Sequence, residues 1–152
     1  MKKYELTDET IKIGGHTLYR IKALVDFGNV KAGDIGGRIE KEENLAQDGN
    51  AWVSGNAWVS GDARVSGDAW VSCDAHYLAI GPIGSRDDTV TFTRRKNGGI
   101  YGAVGCFLGT LDEFRKKVEE THGDNAHAEA YLLAAKLAEV RIDTTPIDDE
   151  VK

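Results

Sequence analysis

The stretch Gly49-Asn-Ala-Trp-Val-Ser54, Gly55-Asn-Ala-Trp-Val-Ser60, Gly61-Asp-Ala-Arg-Val-Ser66, Gly67-Asp-Ala-Trp-Val-Ser72 is one hexad written four times. A repeat this regular dictates the local architecture, because each unit can bury its apolar positions only against its neighbours. Val53, Val59, Val65 and Val71 hold one position of the hexad, and Ala57, Ala63, Ala69 and Ala75 follow each by four residues. In a coil with three short faces per turn, the valines fill the interior and the alanines fit the corners. The Gly-Asn and Gly-Asp pairs supply the turns, since these residues tolerate backbone conformations that β-branched residues resist. The fold class expected is mainly β with α: a short left-handed parallel β-helix over 31–78, then a small C-terminal β-hairpin/two-helix α+β module.

Three hexads per turn place residues 18 apart on one face, about 4.8 Å from each other. Trp52 then stacks on Trp70, Trp58 lies beneath His76, and Arg64 takes the outward site of the third face. Outward tryptophans on a small acidic chain call for a cover, because monomers seldom expose large contiguous apolar area. Trp52, Trp58, Arg64, Trp70 and His76 are therefore candidates for an oligomer interface, with a homotrimer favoured by the prism shape. Stacking of a planar ligand on the indoles is the alternative. The repeat frays at both ends: Lys41 and Gln47 stand where inward valines belong, and Pro82 interrupts the phase downstream.

Outside the coil, Tyr4-Glu-Leu6 and Ile11-Lys-Ile13 read as strand pieces, and Gly14-Gly15 before Thr17–Ile21 reads as a hairpin turn, giving an N-terminal β cap over 1–30. Asp88–Thr93 and Ile100–Phe107 flank a turn at Lys96–Gly99, a second hairpin within a module over 79–142. Thr110-Leu-Asp-Glu113 is a capping box, with Leu111, Phe114 and Val118 at helical spacing behind it. A second helix starts near Asn125 or Ala126, and 143–152 forms an acidic flexible tail.

The chain has 152 residues, a formal charge of -6 and a pI near 5.2. That charge argues against general binding to nucleic acid or anionic membranes. No apolar run reaches the roughly 20 residues of a membrane span, and the start Met-Lys-Lys-Tyr-Glu lacks a signal-peptide core, so a cytoplasmic protein is expected. Cys73 and Cys106 lack the spacing of a zinc site or a disulfide scaffold, and neither metal nor cofactor is implied.

The most suggestive loop is Ile80-Gly-Pro-Ile-Gly-Ser-Arg-Asp-Asp88. Gly84 lets backbone amides approach an anion, Ser85 adds a hydroxyl, and Arg86 offers a fork for phosphate or carboxylate. The plain alternative is a junction loop in which Arg86 pairs with a neighbouring carboxylate. Thr121-His-Gly-Asp-Asn125 brings His122 and Asn125 between the helices, either to share a ligand with Arg86 or simply to cap helix ends. Cys106 with His122 as base is a weak signal for a nucleophile, lacking a third orienting group.

The repeat resembles the hexapeptide-transferase superfamily and related polymer-forming proteins. Phe27–Gly37 leading into Glu43-Asn-Leu45, together with Ile80–Arg86, Gly105-Cys-Phe107 and Thr121-His-Gly-Asp124, resembles small phage and prophage proteins carrying such a coil and a C-terminal module. The superfamily alone implies an acyltransferase, but no catalytic histidine loop interrupts this coil. The phage resemblance implies a non-catalytic anti-defence protein in the host cytoplasm, sequestering a nucleotide-like immune signal. The two loops read above then supply the candidate site, with Gly84, Ser85 and Arg86 on phosphate and His122 and Asn125 on the sugar or base. Two alternatives stand beside it: an oligomeric inhibitor of a host defence protein, gripping through its tryptophans, and a small transferase or hydrolase acting through His122.

Overall fold

The computed structural model describes residues 2–73, 76–96, 98–105 and 107–144. Ala75 of the repeat, Asn97 of the second turn, Cys106 and the tail from 145 lie outside the described residues.

The chain opens with an antiparallel hairpin, β1 (Tyr4–Ile13) and β2 (His16–Ala23). Its two-residue turn falls on Gly14 and Gly15, at φ +56° and +85°, a region that side chains with a Cβ resist. Strand β3 (Ile35–Ile39) pairs antiparallel with β2, then parallel with the two-residue β5 (Trp58–Val59), completing a mixed sheet ordered β1-β2-β3-β5. Strands β4 (Trp52–Val53) and β6 (Trp70–Val71) form a separate parallel pair. The third sheet is antiparallel, ordered β10-β9-β8-β7, from β7 (Tyr77–Ile83), β8 (Asp88–Arg94), β9 (Ile100–Val104) and β10 (Phe107–Thr110). Helices α1 (Leu111–His122) and α2 (Ala126–Arg141) pack on it.

This corrects the expected fold class. The two four-stranded sheets are mixed and antiparallel, the parallel β4–β6 pair stays two residues long, and the described residues form no closed or solenoid sheet, so a left-handed parallel β-helix is not what the chain shows. The physical reason lies in the hexad. Three of the four units supply a two-residue strand and the third, Gly61–Ser66, only an isolated bridge at Val65, and each unit opens on a glycine at φ between +61° and +70° that turns the chain, so a parallel strand ends before it can propagate. Trp52 opposes Trp70 at the 18-residue spacing, whereas Arg38 opposes Trp58 and Leu45 opposes Val65 at 20. The early part of the segment is held by antiparallel pairing to the N-terminal hairpin instead.

The four repeat valines are completely buried, in a core closed by Tyr4, Ile21, Ile39 and Leu45. Asn44, also fully buried, braces this core. Its Oδ1 accepts from the Glu40 and Lys41 amides, and its Nδ2 donates to the Gly61 and Ala63 carbonyls. Tyr4 donates through its hydroxyl to the Leu45 carbonyl at 2.6 Å, and burial with two nearby glutamates raises its pKa.

The outward tryptophan ladder is a second correction. Trp52 and Trp70 are 2% and 5% exposed within a single chain, and only Trp58 is half-buried. Phe27 and Tyr4 meet the Trp52 ring edge-on at 5.3 and 6.5 Å, so the N-terminal segments cover the face that the register left open. His76 is likewise buried rather than outward, and Arg64 remains exposed, with its amide donating to Thr91 Oγ1.

The His76 Nδ1 accepts from the Ser72 amide at 3.0 Å, a bond only an unprotonated nitrogen can accept. Burial, and then the nearby Arg94 guanidinium, hold its pKa below the ordinary histidine value. The unfolded chain therefore binds the proton first as pH falls, and the stability His76 contributes is lost below the unfolded pKa of about 6.5. The stability difference between wild type and His76→Gln, read from urea unfolding, is expected to shrink between about pH 7.5 and about pH 5.

In the C-terminal layer Thr110 and Glu113 cap α1 reciprocally. The Thr110 amide donates to Glu113 Oε1 at 2.8 Å, and the Glu113 amide donates to Thr110 Oγ1 at 3.2 Å. Hydrogen bonding to the Thr110 amide, and then to its hydroxyl, holds the Glu113 carboxyl below its usual pKa. Thr110→Ala is expected to cost about 1 kcal/mol in thermal or urea unfolding. No helix among the described residues is long and apolar enough to cross a membrane.

Candidate functional site

Helix α1 begins where β10 ends and packs against β10 and β9, and α2 folds back over β7. Between them opens a cavity of about 220 Å³. Its floor is apolar and aromatic: Val104, Phe107, Phe114, Val118 and Tyr131. Phe114 sits at the centre, edge-on to Tyr131 at 5.8 Å and tilted against Phe107 at 6.0 Å. Its burial follows from helical spacing, since Phe114 and Val118 occupy one face of α1.

The rim is polar and carries Ser85, Arg86, Asp88, Lys117, Thr121 and His122. Arg86 comes from the β7–β8 turn, Asp88 from the first position of β8, Lys117 and Thr121 from successive turns of α1, and His122 from its last position. The His122 ring stacks against Tyr131 at 5.7 Å with a 24° interplanar angle, and His127 lies 5.6 Å away. A methyl placed on Gly105 would sit 3.6 Å from Asp88 Oδ2 and 3.9 Å from Arg86 Nη1, which locates both groups at the mouth. Asp88 Oδ1 accepts from the Thr89 amide, anchoring that carboxylate. Among the described residues Arg86 and Lys117 form no salt bridge. Burial raises the Tyr131 pKa, with Asp88 adding to the effect and Arg86 opposing it, so the phenol stays a neutral donor.

The sequence-derived candidates divide here. Ser85, Arg86 and His122 line the same cavity. Gly84 lies behind it, at φ +78° and packed so closely against the Tyr131 hydroxyl that a side chain would not fit. Its role in the geometry is to let α2 dock. Asn125 does not line the cavity: its Oδ1 accepts from the Ala128 amide at 3.0 Å as the N-cap of α2. Trp52 and Trp70 border a different depression, away from this cavity, with Ile35 and Asp34. Lys117 is absent from the sequence-derived candidates, Thr121 enters there only as the first residue of the Thr121–Asn125 cluster, and Tyr131 reads as a core residue of the second helix. Their available signal was the four-residue step from Lys117 to Thr121, which puts two polar groups beside the Phe114–Val118 face. Compared with known proteins, the chain matches no family model and no curated protein.

Proposed function

We propose that the chain is a non-catalytic binding protein that captures a small nucleotide-like anion, its planar ring on the Phe114–Tyr131 floor and its anionic group at Arg86 and Lys117. The observation that carries this reading is the charge of the rim. In a chain of net charge -6, an apolar cavity is bordered by two cations, Arg86 and Lys117, against a single carboxylate, Asp88. Its volume of about 220 Å³ falls below the roughly 300–1,000 Å³ of pockets that swallow a drug-sized ligand. One ring enters, and the charged remainder stays at the mouth.

Ser85 and Thr121 supply hydroxyls beside the anion, and His122, stacked on Tyr131, presents a second face to the ring. Capture of this kind needs slow release rather than a reaction. In the setting implied by the phage resemblance, the ligand is an immune signal such as a cyclic nucleotide or an ADP-ribose derivative, and holding it is the activity. The competing grip on a protein partner loses its motive at Trp52 and Trp70, which are buried.

The test is incubation with ADP-ribose and cyclic nucleotides, followed by native mass spectrometry and analysis of what denaturation releases. Intact nucleotide in fixed ratio to protein supports capture. A chemically altered nucleotide overturns the non-catalytic reading, and an empty protein overturns the ligand class.

A further inference from the structure

Helix α2 is apolar on two opposite faces. One face, including Ala128, Tyr131, Ala135 and Ala138, is buried against the rest of the C-terminal layer. The other repeats Ala126, Ala130, Leu133, Leu137 and Val140 in alternating steps of four and three residues, the spacing of a coiled-coil seam. Leu133, Leu137 and Val140 are 64%, 49% and 74% exposed. A surface helix normally turns charge, not leucine, toward water. Beside this seam lies an open groove of about 490 Å³ whose lining includes Glu119, Gly123, Asp124, Glu129, Leu132 and Leu133. The charges beside the seam are unevenly placed: carboxylates border its N-terminal half, and Lys136 and Arg141 its C-terminal half, where Lys136 also pairs with Glu139 of the same helix at 3.3 Å and Glu139 in turn with Arg115 at 3.4 Å.

We infer that this face binds a second copy of the chain, with the two α2 helices antiparallel. Self-complementarity of charge selects that arrangement. An antiparallel, two-fold pairing sets Lys136 beside the partner's Glu129, and the symmetry repeats the contact. In the same register Ala130 faces the partner's Leu133 and Ala126 faces the partner's Leu137, so large and small side chains alternate across the seam. Val140 then projects over the partner's Gly123, where the absent side chain leaves the groove open. A parallel pairing would put Lys136 against the partner's Arg141. An antiparallel pairing shifted to oppose Leu133 and Leu137 would put the two Lys136 side chains together. Both juxtapose like charges and are disfavoured.

The surface is independent of the ligand cavity, so its test does not turn on the proposed function. Sedimentation equilibrium of the full chain at tens of micromolar is expected to give a dimer. Leu133→Glu with Leu137→Glu should give a monomer with an unchanged circular-dichroism spectrum. Glu129→Lys alone should weaken the dimer by roughly tenfold or more, and Glu129→Lys with Lys136→Glu should restore it by re-forming the pair in reverse. A monomeric wild type, or a dimer indifferent to Leu133→Glu with Leu137→Glu, overturns the inference. Failure of the double charge reversal to recover what the single one lost overturns the antiparallel register.

Discussion

Arg86→Ala is expected to lower affinity for a nucleotide-like anion about 10- to 100-fold while leaving the fold intact. Arg86 is exposed at the cavity mouth and free of any salt bridge among the described residues, so its hydrogen-bonding capacity is available to a ligand. A charge-assisted hydrogen bond contributes about 1.5–3 kcal/mol, and about 1.4 kcal/mol corresponds to a tenfold change in affinity. Arg86→Lys keeps the charge but loses the planar fork, and should fall between wild type and alanine. Titration calorimetry with ADP-ribose reads the affinity, and urea unfolding reads the stability. An unchanged dissociation constant in Arg86→Ala would remove Arg86 from the site. Loss of stability by more than about 0.5 kcal/mol would instead assign it a structural role.

Trp52→Ala is expected to cost about 3–5 kcal/mol of folding stability. The indole is 2% exposed and lies between Phe27 and Tyr4, and its far edge reaches Gly36. A methyl added at Gly36 would come within 2.6 Å of Trp52 Cζ2, which shows how completely the site is filled. Removing the ring leaves a cavity that the strands on both sides cannot close. Trp58→Ala, at a half-buried position, should cost less. Urea unfolding followed by far-ultraviolet circular dichroism distinguishes the two. A loss at Trp52 of only a few tenths of a kcal/mol would mean that the indole faces solvent after all.

The tryptophans show where sequence reasoning reaches and where it stops. Hexad spacing identifies Val53, Val59, Val65 and Val71 as core and sets Trp52 against Trp70, because both follow from local period. It cannot tell that Phe27 and Tyr4, far upstream, fold back onto the Trp52 indole. Nor does the repeat reveal that two-residue extended pieces stop short of a solenoid, since the same valine pattern serves a core of short mixed pairings. Strand β7 escaped notice because Gly81 and Pro82 read as breakers, yet β7 lies at the edge of its sheet, where proline is tolerated. Strand β10 was hidden in one apolar run that the structure divides at Gly105.

The site was legible in part for the same reason. Arg86 and His122 stand out as polar residues in glycine-containing loops, while Lys117 and Tyr131 look like ordinary members of two helices. Only the packing of α1 and α2 on the sheet gathers all four. Asn125 illustrates the converse: its local capping role takes the oxygen that a ligand would need.

The most direct test of the central claim is an amide chemical-shift titration of the full chain with ADP-ribose. Saturable shifts are expected at Ser85 to Asp88, Gly105, Lys117 to His122 and Tyr131, with the Trp52 and Trp70 amides unmoved. Shifts confined to the tryptophan segment, or none at millimolar ligand, would contradict the claim.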